Sequence, residues 1–414
     1  MDKMNLGKYC LIGKTLKHSL SPEIYKGFGL DGYSLVELED EKALEKFITD
    51  NSYHGFNVTI PYKQEIMKYL KGISEEASSI GAVNTVVKKE DGLYGYNTDI
   101  LGIERAIKSA GIKLEGQVVA ILGTGGTSKT AKYLAEKHNA KEIIVVSRKG
   151  PINYKNIYDY KDINVIINTT PVGMYPNGDG VPIDITKFKK LTGVYDAIYN
   201  PLTTNLVREA KKRNIPSDNG LSMLVEQGRE AMVIYGIAPK NDAQSVINSI
   251  KKEMYNIVLI GMPGCGKSTI GKALADLMKR PFYDTDDEII KIEDTSIPVI
   301  FKEKGEKYFR DLESKVISSV GNLKGSIISL GGGAVLKEEN RNILARNGII
   351  VYIKRDIEKL EIDGRPLSQS NNLSNMLKQR EPIYKTFSTY TVENNGELEK
   401  AIKNTYDKFM EIFK

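Results

Sequence analysis

Short apolar runs of the length of a β-strand alternate along residues 1–250 with longer segments that have the apolar spacing of helices. The clearest runs cover residues 8–12, 55–60, 117–122 and 142–146. Strands that alternate with helices usually pack as a sheet between layers of helix. The pattern therefore predicts an α/β fold with mostly parallel strands.

A second α/β region is predicted in the rest of the chain. A polar stretch of helical character covers residues 241–253, and a new apolar run at 256–260 leads directly into a glycine-rich loop. A chain of 414 residues is long enough for two or three folding units of about 100–200 residues each. We place the boundary near residue 250.

Composition and charge exclude several classes of protein. The chain is 41% hydrophobic and 27% charged, as globular proteins usually are, and it has no apolar run of ~18 residues and no apolar segment behind its first residues. The net charge of +6 is spread without blocks of like charge, so we expect no nucleic-acid and no membrane partner. Two cysteines and three histidines, none at ligand spacing, argue against structural zinc and fit a cytoplasmic protein. The sequence leaves open whether the chain forms a homo-oligomer.

The glycine-rich loop of the second region indicates nucleotide binding. Residues 261–269 have the pattern G-x-x-x-x-G-K-S between a predicted strand and a predicted helix. In this pattern backbone N–H groups surround phosphate oxygens, Lys267 reaches the β- and γ-phosphates and Ser268 is a ligand of Mg²⁺. Cys265 is interpreted as a small residue that fills space. The predicted nucleotide contacts are Gly261, Gly264, Cys265, Gly266, Lys267, Ser268 and Thr269.

Further polar motifs follow this loop. They cover residues 282–287, 301–313, 327–333, 364–367 and 380–384, and the third of them ends in three consecutive glycines. In this order behind a phosphate loop, the motifs resemble shikimate kinase over residues 251–414. The resemblance implies a P-loop kinase domain of the α/β class with a parallel sheet, which uses ATP.

The resemblance to shikimate kinase also implies roles for single residues. Asp284 is implied to hold Mg²⁺ with Ser268, and Lys267 is implied to act in catalysis. Arg365 is implied to lie in a lid over the phosphates, although the segment 355–365 is shorter than the usual lid of the family. The implied shikimate site has one carboxylate that binds and deprotonates the acceptor hydroxyl, two guanidinium groups for the carboxylate and two glycines beside the ring hydroxyls: Asp286, Arg310, Arg380, Gly332 and Gly333.

A second glycine-rich loop in the first region indicates a dinucleotide. The sequence Gly-Thr-Gly-Gly-Thr-Ser at 123–128 follows a predicted strand and precedes a predicted helix at 129–138, but this pattern alone is weak. The next predicted strand ends in Ser147, Arg148 and Lys149. NAD-binding folds place an acidic residue there for the ribose 2′-hydroxyl, whereas an arginine accommodates a 2′-phosphate. The sequence therefore favours NADP over NAD.

Polar clusters before this loop suit a small polyhydroxylated acid as substrate. They contain serine and threonine hydroxyls, asparagine amides, one lysine and one aspartate. Reduction of a ketone needs a hydride and a proton, and Lys63 with Asp99 is a candidate pair to supply the proton. His18 and His54 lie near these motifs but receive no catalytic role, because Lys63 already supplies the proton.

The ordered motifs of the first region strongly resemble shikimate dehydrogenase over residues 5–250. The matching segments are 19–22, 57–63, 81–85, 97–99, 123–128, 168–174, 195–201 and 219–228. The resemblance implies a substrate-binding α/β lobe at about 1–100, completed by helices near 220–250, and a Rossmann-like NADP lobe at about 101–219. Ser147 and Lys149 replace the asparagine and threonine usual in the family, so strict preference for NADP stays open.

The resemblance to shikimate dehydrogenase assigns two sets of residues. Lys63 and Asp99 are implied to be the catalytic pair. The implied shikimate contacts are Ser19, Ser21, Thr59, Asn84, Asp99, Tyr199 and Gln227. The implied NADP contacts are Gly123, Gly125, Gly126, Ser147, Arg148, Lys149, Thr169 and Gly220.

The two resemblances together predict a bifunctional enzyme. Residues 1–250 would reduce 3-dehydroshikimate to shikimate with NADPH, and residues 251–414 would phosphorylate shikimate to shikimate 3-phosphate with ATP and Mg²⁺. Two alternatives remain open at this point. The first region could act on quinate or shikimate with NAD, or the chain could be a nucleotide-sensing protein without catalysis.

Overall fold

The structure is a computed structural model that describes residues 7–17, 19–50, 52–360 and 370–414. Arg365 and His18 lie outside the described residues. Contacts divide the chain into two compact units, one of Met1–Asn200 with Leu206–Ile250 and one of Pro201–Asn205 with Lys251–Lys414. Within the described residues, we find no helix with the length and apolar character needed to cross a membrane.

The first sheet of the first unit is mixed. The strand order is β2-β1-β3-β5-β6-β4, with β1 parallel to β2 and β3, and β5 antiparallel to β3 and β6. The short connection from β5 to β6 permits only an antiparallel pair, which the alternation of apolar runs does not indicate. The elements are β1 (Tyr9–Gly13), α1 (Ser21–Gly27), β2 (Ser34–Glu37), α2 (Glu41–Asp50), β3 (Gly55–Val58), a 3₁₀ turn (Glu65–Tyr69), β4 (Gly72–Ile73), α3 (Glu75–Ile80), β5 (Thr85–Lys89) and β6 (Gly92–Tyr96).

The second sheet of the first unit is parallel throughout, with the order β11-β10-β9-β7-β8. Its described strands β8 and β9, like β9 and β10, are connected through 3₁₀ turns, Ile157–Asp159 and Ile185–Lys187. The elements are α4 (Asp99–Ser109), β7 (Val118–Leu122), α5 (Gly126–Lys137), β8 (Glu142–Val146), β9 (Val165–Asn168), β10 (Gly193–Asp196), α6 (Asn205–Lys212), β11 (Ser217–Asn219), α7 (Gly220–Ile234) and α8 (Ala243–Met254).

Helix α7 connects the two sheets of the first unit. It packs against α4, and a Cβ at Gly102 of α4 would lie only 2.7 Å from the carbonyl oxygen of Met223 in α7. On another side α7 contacts α1, where a Cβ at Gly228 would lie 3.0 Å from Ile24. Glycines therefore allow α4 and α1 to pack closely against α7.

The second unit contains one parallel sheet with the order β13-β14-β12-β15-β16. Helix α11 is broken at Gly305, whose φ of 78° and ψ of 168° are not helical. The elements are β12 (Asn256–Ile260), α9 (Lys267–Met278), β13 (Phe282–Asp284), α10 (Thr285–Glu293), α11 (Ile297–Val320), β14 (Ile327–Ser329), a 3₁₀ turn (Ala334–Leu336), α12 (Glu338–Leu344), β15 (Gly348–Lys354), a 3₁₀ turn (Ile357–Lys359), α13 (Ser370–Phe387), β16 (Tyr390–Glu393) and α14 (Leu398–Glu411).

The burial of the central strands explains why both parallel sheets could be predicted from the sequence. Every residue of β7 and of β12 is buried, because parallel sheets are covered by helices on both faces and their strands are apolar throughout. Ligand sites in such sheets form beyond the carboxyl ends of the strands. The glycine loops that start at Gly123 and Gly261 leave β7 and β12 at these ends.

Candidate active sites

A cavity of about 300 Å³ in the first unit brings together the residues predicted to bind or convert the first substrate. They come from separate segments of the chain and line one space. The lining includes Ser19, Ser21, Thr59, Lys63, Asn84, Asp99, Tyr199 and Gln227.

Lys63 and Asp99 form an ion pair in this cavity. The Lys63 Nζ lies 2.6 Å from Asp99 Oδ2, and the Asp99 side chain is only 5% exposed. The other carboxylate oxygen of Asp99 accepts a hydrogen bond of 2.8 Å from Asn84 Nδ2. Asp99 is also the first residue of α4, where the positive end of the helix dipole stabilises a negative charge. The carboxylate is thus held from three directions with the lysine ammonium beside it.

Other polar groups of the cavity are available to a polar ligand. The hydroxyl of Ser19 donates to that of Ser21 at 3.1 Å. Oε1 of Gln227 is buried and has no hydrogen-bond partner among the described residues, although buried polar atoms are normally paired. Burial raises the pKa of Tyr199, so its hydroxyl stays protonated at neutral pH. A small polyhydroxylated acid fits this set of donors and acceptors.

Two residues that line the same cavity, Tyr25 and Asn57, were not predicted as site residues. Asn57 belongs to the motif at 57–63 that also contains Thr59 and Lys63. Its position within that motif is the signal that could have found it. Tyr25 lies on α1 one helical turn after Ser21, and only the helix geometry places it at the cavity.

The predicted dinucleotide loop has an open helix N-terminus. Gly123 has a φ of 113°, which favours glycine, and Thr169 Oγ1 donates to the carbonyl of Leu122 beside it at 2.6 Å. Gly125 precedes α5 and Gly126 is its first residue, and no atom lies within 4 Å of a Cβ at either position. An open helix N-terminus with free access to its N–H groups suits a phosphate.

The remaining predicted NADP contacts have different surroundings. Arg148 and Lys149 are exposed, whereas Ser147 Oγ accepts a hydrogen bond of 2.7 Å from the backbone N–H of Gly150 and closes the turn. Gly220 begins α7, and a Cβ there would lie 2.0 Å from the carbonyl oxygen of Ala197. Glycine at 220 is therefore required for backbone packing, whatever it contacts in a ligand.

A second cavity, of about 320 Å³, lies in the second unit. It joins the end of the phosphate loop to the residues predicted to bind the phosphate acceptor. The lining includes Lys267, Ser268, Asp284, Asp286, Arg310, Gly332, Gly333 and Arg380.

The phosphate loop has its lysine folded back on the loop itself. The Lys267 Nζ donates to the carbonyls of Gly261 at 3.1 Å and Met262 at 3.0 Å, and the residue is only 7% exposed. Gly264 and Gly266 have φ values of 79° and 94°, a backbone that favours glycine. Hydrogen bonds to carbonyls are contacts that a phosphate can replace, so the lysine is placed to change partners.

Cys265 and Thr269 are the remaining predicted contacts of the loop, and Asn394 binds the loop from outside it. The Cys265 side chain is fully buried, in keeping with its interpretation as a space-filling residue. Its carbonyl accepts a hydrogen bond of 2.9 Å from Asn394 Nδ2, a contact that was not predicted. Thr269 lies in the first turn of α9 and is exposed.

Ser268 and Asp284, the two predicted magnesium ligands, are adjacent. Ser268 Oγ donates to Asp284 Oδ2 at 2.6 Å, and Asp284 Oδ1 accepts from the backbone N–H of Asp286 at 3.0 Å. No group of three or more His, Cys, Asp and Glu side chains suited to a metal occurs in the described parts of the chain. A cation here would therefore take its other ligands from phosphate oxygens and water, as Mg²⁺ usually does.

The three glycines after β14 allow charged side chains to approach the backbone. A Cβ at Gly331 would lie 2.8 Å from Asp286 Oδ1 and 2.9 Å from Glu313 Oε1, and a Cβ at Gly333 would lie 2.6 Å from Arg310 Nη2. Larger residues would displace these side chains. The glycine loop thus positions Asp286 and Arg310 at one side of the cavity.

Glu313 is a site residue that was not predicted. It lines the second cavity, its side chain is 1% exposed, and its Oε2 accepts a hydrogen bond of 2.9 Å from Arg310 Nη1. Burial raises the pKa of Glu313, Arg310 opposes this effect, and the nearby charge of Asp286 adds to it. Glu313 orients the guanidinium of Arg310 at the cost of burying a second charge.

The raised pKa of Glu313 predicts a pH-dependent stability of the second unit. A carboxyl group whose folded pKa lies above its ordinary 4.5 contributes stability below that value and loses it as the pH rises through the folded pKa. The free energy of unfolding of the wild type, relative to Glu313→Gln, should therefore fall as the pH is raised from about 4 to 7. Urea denaturation at several pH values measures this difference.

Glu306→Gln is the matched control for this prediction. Glu306 also pairs with Arg310, at 3.4 Å, but its side chain is 61% exposed. Its removal should change the free energy of unfolding little, because an exposed ion pair contributes little to stability. A pH-independent difference for Glu313→Gln would contradict the raised pKa.

Comparisons with known proteins match each part of the chain to a family. The family model described as shikimate dehydrogenase substrate binding domain matches residues 11–86, and the one described as shikimate kinase matches residues 263–411. A shikimate dehydrogenase (NADP⁺) of Caldicellulosiruptor saccharolyticus is 38% identical over 276 residues, which cover 59% of this chain and 98% of the relative.

Solved structures are similar to this chain over a longer segment than the dehydrogenase family model matches. A chorismate mutase/shikimate 5-dehydrogenase fusion protein from Clostridium acetobutylicum has a TM-score of 0.56 at 32% identity, over 60% of this chain and 98% of that one. A shikimate 5-dehydrogenase from Thermus thermophilus, solved in complex with NADP(H) and shikimate, has a TM-score of 0.53 at 28% identity, over 59% and 99%. Relatives are covered over nearly their whole length, and the remaining part of the chain matches a second family. The chain therefore belongs to the shikimate dehydrogenase family and carries a shikimate kinase domain after it, which makes it an enzyme of the shikimate pathway with two catalytic units.

Proposed function

We propose that this chain reduces 3-dehydroshikimate to shikimate with NADPH and then phosphorylates shikimate to shikimate 3-phosphate with ATP. Residues 1–250 are the proposed dehydrogenase and residues 251–414 the proposed kinase. The observation that carries the proposal is the convergence of each predicted set of side chains on its own cavity, of about 300 Å³ and about 320 Å³. Both cavities contain the groups that one polyhydroxylated carboxylate requires.

In the proposed reduction, Lys63 gives the proton. Its ammonium donates to the oxygen of the substrate ketone and supplies the proton that turns this oxygen into the new hydroxyl. Asp99, 2.6 Å from Lys63, keeps the ammonium oriented and accepts a hydrogen bond from a neighbouring substrate hydroxyl. Ser19, Ser21 and Gln227 bind the remaining polar groups of the substrate.

The proposed NADPH site uses the open end of α5. When bound, NADPH supplies the hydride of the reaction. The N–H groups at Gly125 and Gly126 hold the diphosphate, and Arg148 with Lys149 binds the 2′-phosphate. Gly123, Thr169 and Gly220 form the surrounding backbone and hydroxyl surface.

In the proposed phosphorylation, Arg310 and Arg380 bind the carboxylate of shikimate. Asp286 accepts the proton of the attacking hydroxyl, beside Gly332 and Gly333. Lys267 exchanges the loop carbonyls for phosphate oxygens and stabilises the charge that develops during transfer. Ser268 and Asp284 hold Mg²⁺, which when bound neutralises phosphate charge.

Two other functions compete with this proposal. A quinate dehydrogenase from Corynebacterium glutamicum, solved in complex with NAD, has a TM-score of 0.54 at 25% identity, so NAD and quinate must be tested with the first unit. A nucleotide-sensing protein would not need the Lys63–Asp99 pair or the paired arginines of the second cavity. Turnover distinguishes these possibilities.

One reaction mixture tests the proposal. The purified chain is incubated with 3-dehydroshikimate, NADPH and MgATP, and the products are separated. We expect one NADPH oxidised and one ATP consumed for each shikimate 3-phosphate formed. Reduction with NADH in place of NADPH should be slower. In the reverse direction, oxidation of quinate should be slower than oxidation of shikimate. Formation of shikimate without its phosphate would refute the second half of the proposal, and the absence of NADPH oxidation the first.

A further inference from the structure

Three tyrosine hydroxyls converge on one amide oxygen next to the first cavity. Oδ1 of Asn57 lies 2.5 Å from the hydroxyl of Tyr25, 2.7 Å from that of Tyr33 and 3.0 Å from that of Tyr235. All three tyrosines are buried, and burial raises the pKa of each of them. Their hydroxyls therefore remain protonated donors at neutral pH. An amide oxygen has two lone pairs, so the three tyrosine hydroxyls leave the oxygen of Asn57 no capacity to accept a further hydrogen bond.

The amide nitrogen of Asn57 points the other way. Nδ2 donates to the carbonyl of Asn84 at 3.2 Å and to Thr85 Oγ1 at 3.0 Å. A backbone carbonyl only accepts hydrogen bonds, so this contact assigns the nitrogen and the oxygen of the Asn57 amide without ambiguity. Asn57 thus links the tyrosine group to the start of β5.

From Thr85 the hydrogen bonds continue to the catalytic pair. Thr85 Oγ1 donates to Asn84 Oδ1 at 3.0 Å, and Asn84 Nδ2 donates to Asp99 Oδ1 at 2.8 Å. The backbone N–H of Thr98, which only donates, also bonds Asn84 Oδ1 at 2.8 Å. This contact identifies the oxygen of the Asn84 amide, so the nitrogen is the atom that faces Asp99.

Asn57 also joins the elements that carry the substrate contacts. Tyr25 lies on α1 with Ser21, and Tyr235 directly follows α7, which carries Gln227. Asn57 itself lies on β3, immediately before the segment with Thr59. Displacement of this one amide would affect three walls of the cavity and the carboxylate of Asp99 at the same time.

We propose that Asn57 and Thr85 are positioning residues of the dehydrogenase, which hold the Asn84 amide and, through it, the Asp99 carboxylate in register with Lys63. The proposal rests on the proposed role of Lys63 and Asp99 in ketone reduction. Neither residue is assigned a proton transfer. Their contribution is to orientation, which controls the rate of a step that depends on aligned groups.

Thr85 offers the sharper test of the two. Asn57 lines the cavity, so its replacement would also change direct contacts, whereas Thr85 is 0% exposed and is not among the described residues that line the cavity. Thr85→Val keeps the shape and removes the hydroxyl, and Thr85→Ser restores it. We expect Thr85→Val to lower kcat for 3-dehydroshikimate reduction about tenfold, because it removes the hydroxyl that accepts from Asn57 Nδ2 and donates to Asn84 Oδ1. The KM for NADPH should not change, and Thr85→Ser should recover most of kcat.

One control tests whether a loss of stability alone lowers kcat, and a second measures the amount of intact protein. Tyr62→Phe removes another buried hydrogen bond of the same lobe, from the Tyr62 hydroxyl to the carbonyl of Leu38 at 2.7 Å. We expect it to lower the unfolding midpoint and leave kcat unchanged. Phosphorylation of added shikimate by the same Thr85→Val chain should also stay at the wild-type rate.

A double variant tests the relay itself. If Asn57→Ala and Thr85→Val interrupt one chain of hydrogen bonds, the kcat of the double variant should resemble that of Asn57→Ala alone. The proposal would be overturned if the fold-loss of kcat in the double variant were the product of the two single losses, or if Thr85→Val had a wild-type kcat. Either result would leave the proposed function intact. Full reduction by Lys63→Ala would instead refute the proposed function.

Discussion

Lys63→Ala should reduce NADPH-dependent reduction of 3-dehydroshikimate about 10²–10⁴-fold, the usual contribution of a positioned general acid. Lys63 is the ammonium that lies 2.6 Å from the buried Asp99 carboxylate in the first cavity. Its removal takes away the proton donor and leaves Asp99 without its ion pair. The loss should appear in kcat, measured by NADPH absorbance at saturating substrate.

Lys71→Ala is the matched control for Lys63→Ala. Lys71 forms an ion pair of the same length, 2.6 Å, with Asp91, but both side chains are more than half exposed. Surface pairs of this kind contribute little, so reduction should proceed at the wild-type rate. Phosphorylation of added shikimate should be unchanged in both variants. Loss of both activities in a folded Lys63→Ala chain would refute the division of the chain into two sites.

Lys267→Ala should have the opposite result, with phosphorylation of shikimate reduced at least 10²-fold and reduction of 3-dehydroshikimate unchanged. Lys267 carries the ammonium of the phosphate loop, and loss of one group that stabilises developing charge typically costs 10²–10³ in kcat. Its present partners are the carbonyls of Gly261 and Met262. Coupled detection of ADP measures the effect.

Lys272→Ala controls for the loss of a positive charge on the same helix. Lys272 lies on α9 as Lys267 does, but it is exposed, with its Nζ 5.9 Å from the ring centre of Phe282. Phosphorylation should remain close to that of the wild type. A Lys267→Ala chain that retains full kinase activity would show that the phosphate loop does not bind the transferred phosphate as we propose.

The two units of the chain provide internal controls for each other. Each unit has its own cavity and its own hydrophobic core. The activity of the unmodified unit therefore reports the amount of intact protein in a variant, and the unfolding transition of the modified unit reports whether that unit is folded. A variant that loses one activity and keeps the other has a defect in one unit, and differences in expression or handling of the protein do not explain its loss.

Local sequence was sufficient for the parallel sheets. The predicted runs at 142–146 and 256–260 coincide with β8 and β12. Every residue of β12 is buried, because helices cover both faces of a parallel sheet. β8 is an edge strand, and only Ile144 and Val146 of it are buried. The predicted helix at 129–138 starts too late, since α5 begins at Gly126. Glycine is a poor helix former, but here Gly126 begins the helix directly after the predicted dinucleotide loop.

Burial could not be predicted from local sequence in the same way. Glu313 sits within a highly charged stretch, 302–313, that reads as a solvent-exposed helix face. The structure pairs it with Arg310 and buries it, because the glycine loop at 331–333, which follows the next strand along the chain, lies against it. The i,i+3 spacing within α11 allows the pair with Arg310, but no pattern within α11 shows that the glycine loop covers it.

The sequence by itself determined the chemistry of this protein, since the phosphate loops, the basic residues after β8 and the ordered polar motifs lie within short segments whose backbone follows local rules. The tertiary structure decided which side chains meet. Lys63 and Asp99 are 36 residues apart, and Asn57 and Tyr235 are 178 apart. Such contacts arise only when distant strands and helices pack into one core, and hydrogen bonds across that core set the orientation on which the proposed reduction depends.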